Sequence, residues 1–75
     1  MPRLPRPTGA EIVRFLETQG FRIVRIRGSY HVLEKGMLRT TVPVHSKQIL
    51  RIGTLRGILR DVDMAPAVFT GLWRG

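Results

Sequence analysis

Two histidines, His31 and His45, stand 14 residues apart in a chain that carries eleven arginines. An imidazole exchanges its proton near neutral pH, so it can act as acid or base in water. A guanidinium is always charged and meets phosphate oxygens through two parallel N–H bonds. These are the groups needed to cut RNA without a metal, because RNA brings its own nucleophile, the 2′-hydroxyl. The protein must take that proton, protonate the leaving 5′-oxygen and offset the charge that builds on phosphorus. The five acidic residues are scattered, and the chain has no cysteine. No metal site and no cofactor is therefore expected.

Of the two histidines, His31 is the better placed. It follows Gly28-Ser29-Tyr30, a turn leading into a short strand, and a strand holds a side chain more firmly than a loop does. Taken alone, a single strand histidine is more often structural than catalytic. Ser29 shapes the turn, and no base beside it in sequence activates it as a nucleophile. Ser29 and His45 remain auxiliary candidates.

The elements that must position these groups can be read in order. Residues 1–7, rich in proline and arginine, form a flexible basic arm. Thr8 and Glu11 match a capping box, and Ile12, Phe15 and Leu16 follow at helical spacing, so a helix runs from Gly9 to Gln19 and Gly20 ends it. Phe21 to Arg27 is a strand with imperfect alternation. Tyr30 to Glu34 and Leu38 to Val42 form a hairpin about Lys35-Gly36, and Pro43 ends it. That loop pairs Glu34 with Met37 and sets His31 opposite Thr40, leaving His45 five residues further on, roughly 16 Å at strand rise.

Parity alone does not settle the sheet faces. Tyr30 and Val32 are expected inward, because the other choice buries the imidazole of His31. Tyr30 is thus expected in the core rather than as a base-stacking platform. Val44 to Arg51 connects to a second helix, Gly53 to Val62, whose apolar stripe is Leu55, Ile58, Leu59 and Val62. Residues 63–75 form a tail in which Pro66 can open a short third helix.

The order is α-β-β-β-α, an α+β fold with a three-stranded antiparallel sheet and both helices on one face. That is the topology of the double-stranded-RNA-binding domain. Seventy-five residues make one domain with limited burial. The formal charge of +8 points first to nucleic acid. Arg22, Arg25 and Arg27 alternate with apolar residues, so two of them share a face. With Arg39, Lys47, Arg51, Arg56 and Arg60 they are candidates for a phosphate track. Nothing resembles a signal peptide or a membrane span, so a soluble cytoplasmic protein is expected.

Four stretches in this order resemble the HicA (YcfA-like) mRNA interferases, the toxins of bacterial HicAB toxin–antitoxin systems. They are Gln19-Gly20-Phe21, Gly28-Ser29-Tyr30-His31, Thr40 to His45 and Gly53 to Arg60, within a match from about Gly9 to Met64. The resemblance implies a double-stranded-RNA-binding-like fold, ribosome-independent cleavage of mRNA, a HicB-like antitoxin as partner, and catalysis by the histidine after Gly-Ser-x, here His31. Many relatives carry two histidines after Gly-Ser, where this chain has Tyr30 first. Many have Gly-Leu after the second helix, where this chain has Asp63-Met64. A non-catalytic RNA-binding module of the same fold is the main alternative. A DNA-binding or ribosome-associated basic protein is another, although the intervening sheet argues against a helix-turn-helix.

Overall fold

A computed structural model describes residues 3–73 of the chain. The elements are α1 (Gly9–Thr18), β1 (Arg22–Arg27), β2 (Tyr30–Lys35), β3 (Leu38–Pro43), α2 (Ile52–Asp61) and α3 (Pro66–Leu72). The strands form one antiparallel sheet in the order β1-β2-β3, so β2 is central. This is the expected α+β order, with the short third helix present. No helix among the described residues is long and apolar enough to cross a membrane.

Helix α1 begins with the expected capping box. The Thr8 hydroxyl accepts from the Glu11 N–H at 3.2 Å, and the Glu11 carboxylate accepts from the Thr8 N–H at 2.9 Å. At its other end Lys35 donates to the Gln19 carbonyl at 2.8 Å. A cation is favourable there, against the negative end of the helix dipole, and the contact ties the hairpin to α1. Helix α2 starts one residue earlier than its apolar stripe suggests, with Arg51 at the N-cap and no side-chain cap bond.

A single hydrophobic cluster joins α1, α2 and α3 to one sheet face. Ile12, Leu16, Leu33, Val42, Leu55, Leu59 and Phe69 are almost wholly enclosed within it. Thr40 is buried among them and donates to Asp61 at 3.0 Å, a polar tie between β3 and the end of α2. Phe15, Phe69 and Trp73 make an aromatic cluster with centroids 5.1 to 5.7 Å apart, the Phe15–Phe69 pair edge-on.

The hairpin register differs from the sequence expectation. The loop is Gly36-Met37, so Lys35 pairs with Leu38, Leu33 with Thr40 and His31 with Val42. A two-residue hairpin loop with one positive φ takes glycine first, and Gly36 supplies it with φ 59°, as Gly28 does with φ 58° in the preceding turn. The one-residue shift leaves Met37 fully exposed at the tip.

The inward assignment of Tyr30 and Val32 is also reversed. His31 and Leu33 face the helices together with Thr40 and Val42, while Tyr30 is half exposed on the opposite face. The reason is core volume: Leu33 fills the centre of the cluster, and His31, two residues away on the same strand, must follow it.

Residues 4–7 and 66–73 are more attached than a flexible arm and tail imply. Pro7 is buried, Leu4 packs on the core, and the Pro7 carbonyl accepts from the Leu50 N–H at 2.9 Å. Residues 66–72 are held by Phe69. Met1, Pro2, Arg74 and Gly75 lie outside the described residues.

Candidate active site and basic surfaces

His31 sits one residue into the central strand, directly after the Gly28-Ser29 turn. Its backbone neighbours are Ile26 on β1 and Val42 on β3, so all three belong to the helix-side face. The residue is half-buried. Its Nδ1 is enclosed and has no hydrogen-bond partner among the described residues. An N–H at that atom would be an orphaned buried donor, which folded proteins rarely tolerate. Nε2 is the nitrogen through which the ring can meet a molecule from solvent. An Nε2–H can donate to a phosphoryl oxygen or to a leaving oxygen. Proton transfer at Nε2 in either direction, taking one as the neutral ring or giving one as the imidazolium, needs a proton on Nδ1 and hence a new partner for that atom.

Ser29 lies in the turn, and its carbonyl accepts from the Val44 N–H. This bond carries the chain beyond Pro43 back alongside the turn. His45 is thus three residues past the partner of His31 rather than five, and the separation of roughly 16 Å expected from the other register no longer applies. His45 is exposed. It lines a cleft of about 230 Å³ with Pro43, Gln48, Ile49, Leu50, Arg51 and Thr54. That cleft lies beside the uncapped start of α2 and does not include His31.

The basic candidates do not form one track. A bulge between Ile23 and Arg25 makes Val24 the extra residue of β1. Across it, Arg22 pairs with Glu34, Arg25 with Val32 and Arg27 with Tyr30. All three arginines therefore lie on the outer sheet face, where plain alternation allowed only two. Arg39 joins them, paired with Glu34 through a 2.8 Å ion pair. This group is on the opposite face from His31.

Arg56 and Arg60 are exposed on α2 and border a second cleft, of about 420 Å³, with Leu59, Asp63, Met64, Ala65 and Pro66. Lys47 is an exposed loop residue with φ 55°. The structure thus puts the arginines of the sheet and those of α2 on different surfaces. Tyr30, assigned to the core from sequence, is the surface residue that assignment missed. The signal that could have found it was Leu33: its bulk claims the core, and Tyr30, three residues away on the same strand, falls on the other face.

The departure at Asp63-Met64 has a local explanation. Asp63 takes φ 56°, the left-handed conformation after α2. Its N–H bonds to Arg60 and that of Met64 to Leu59, closing a Schellman motif. Aspartate is among the few residues that tolerate this conformation, so it fills the position where glycine is favoured.

A family model described as the HicA toxin of bacterial toxin–antitoxin matches residues 9–64. The matched span covers α1, the sheet and α2, and ends at the Schellman motif. No curated protein sequence gives a significant match.

Proposed function

The chain belongs to the HicA toxin family of bacterial toxin–antitoxin systems, and from that premise we propose that it is an endoribonuclease cleaving mRNA without a metal, with His31 as the proton-transfer group. The observation that carries the proposal is His31 itself: a half-buried imidazole held on a central strand, with one nitrogen enclosed and the other left for substrate. In the reaction the 2′-oxygen bonds to phosphorus and the bond from phosphorus to the 5′-oxygen breaks. His31 takes the 2′-hydroxyl proton at Nε2, and the leaving 5′-oxygen takes a proton from water. The products are a 2′,3′-cyclic phosphate and a 5′-hydroxyl. His31 serves through Nε2, and Ser29 and His45 are auxiliary groups at the same end of the sheet.

Purified protein should cut a bare transcript into fragments with those ends, and chelators should leave the rate unchanged. Cleavage lost in EDTA and restored by a divalent ion would refute the metal-free route. The unpartnered Nδ1 favours one second reading, a non-catalytic RNA-binding module, because no group on the described surface holds a proton there. A transcript that is bound but stays whole would decide for that module.

The proposed partner is a HicB-like antitoxin. Complementary charge speeds association, so its contact surface is expected to be acidic. Burial of His31 in the complex should slow amide hydrogen exchange in the segment 28–42. Unchanged exchange there, at saturating antitoxin, would rule out inhibition by covering the site.

A further inference from the structure

All three helices pack on the helix-side face, and none of the helices among the described residues covers the outer face of the sheet. Its rows are Arg22–Glu34–Arg39, Arg25–Val32–Thr41 and Arg27–Tyr30–Pro43. Three strands make it roughly 10 Å across. It carries four arginines and one acid, and that acid is already paired with Arg39. Among the described residues no carboxylate pairs with Arg22, Arg25 or Arg27. Beside Arg27 stands Tyr30, 52% exposed.

We propose that this outer face is a platform for single-stranded RNA, with Tyr30 stacking on an unpaired base and Arg22, Arg25 and Arg27 contacting phosphates. The proposal rests on the RNA-directed reading above and adds where and in what form the RNA is held. An aromatic ring on an open sheet flanked by guanidiniums is the combination that binds single strands, because every base offers a face to stack on and the backbone offers charge. A duplex keeps its bases stacked on one another and gives Tyr30 nothing to stack on. A protein partner is the less favoured occupant. Interface centres are depleted of charge and rich in apolar anchors, whereas the centre of this face offers only Val32, itself half-buried, between Arg25 and Thr41.

Tyr30 and His31 are adjacent in sequence and point to opposite faces. Arg27 and Tyr30 are the last pair before the Gly28-Ser29 turn. A strand stacked on Tyr30 therefore reaches His31 by passing around that turn. The platform holds a nucleotide beside the scissile bond and selects for unpaired sequence there.

The test measures anisotropy of a labelled eight-nucleotide 2′-O-methyl RNA, which cannot be cleaved through its 2′-position, and of a blunt RNA duplex. Tyr30→Ala should weaken single-strand binding about 5- to 150-fold, Tyr30→Phe should retain it, and neither should change duplex binding. Circular dichroism should match the parent for both variants. Parent-like single-strand affinity in Tyr30→Ala would overturn the platform, as would equal losses on both RNAs, or no single-strand binding by the parent. Tyr30→Ala that keeps RNA affinity and loses antitoxin affinity would assign the face to protein instead. Because binding is read on uncleavable RNA, a parent that binds through Tyr30 and cuts nothing refutes the ribonuclease and leaves the platform standing. A parent that cuts, with Tyr30→Ala binding normally, does the reverse.

Discussion

His31→Ala is expected to lower the rate of RNA cleavage by about 10²–10⁴, the usual contribution of a positioned proton-transfer group. It should do so without unfolding the protein. The ring is only half-buried, and its Nδ1 is enclosed without a partner, so truncation removes a poorly satisfied polar atom along with some packing. The loss should fall on kcat rather than on binding of uncleavable RNA, because Tyr30 and the β1 arginines lie on the other face. Gel-based cleavage with a circular dichroism control checks this. A folded His31→Ala protein that cuts at the parent rate would remove His31 from the reaction and leave His45 as the remaining imidazole.

The second large effect is structural. Phe69→Ala should destabilise the domain by about 3–5 kcal/mol, the range for truncating a buried phenylalanine. Phe69 is wholly enclosed and contacts both Phe15 and Trp73, so its loss opens a cavity and detaches α3 from α1. Small domains have only about 0.05–0.15 kcal/mol of stability per residue, and a change of this size takes much of the total. Urea unfolding should show a sharply lower midpoint. Leu72→Ala, on the exposed side of the same helix, is the matched control and should shift it little. A Phe69→Ala midpoint close to that of the control would mean that α3 is dispensable to the core.

Much of this architecture is visible in the sequence because local chemistry and tertiary packing agree. Thr8 and Glu11 specify the start of α1, and Leu55, Ile58 and Leu59 specify the buried face of α2. Residues 21–43 show three strands. The register was harder, since it turned on which two residues form a loop. Lys35-Gly36 and Gly36-Met37 differ by one position, yet that step decides whether His31 lies opposite Thr40 or Val42. The faces followed a different rule. Avoiding burial of His31 favoured Tyr30 inward, but the volume of Leu33 prevailed. The importance of Phe69 was hidden because a seven-residue helix has too few turns to show a stripe. His31 was singled out by its place after the turn and by the family motif. The separation of the arginines onto different surfaces required the fold.

The bulge at Val24 has a consequence for how this protein behaves in the company of its own copies. Strand β1 is an edge, with one side of its backbone unpaired by the sheet. Without Val24 its sequence would read Arg-Ile-Arg-Ile-Arg, a straight run with isoleucines on one side and an open line of amide groups, the form most able to recruit a neighbouring strand. The extra residue bends and twists that edge, and the arginines repel a second copy. The same five side chains keep their faces, so the device guards solubility without moving a single charge from the outer surface.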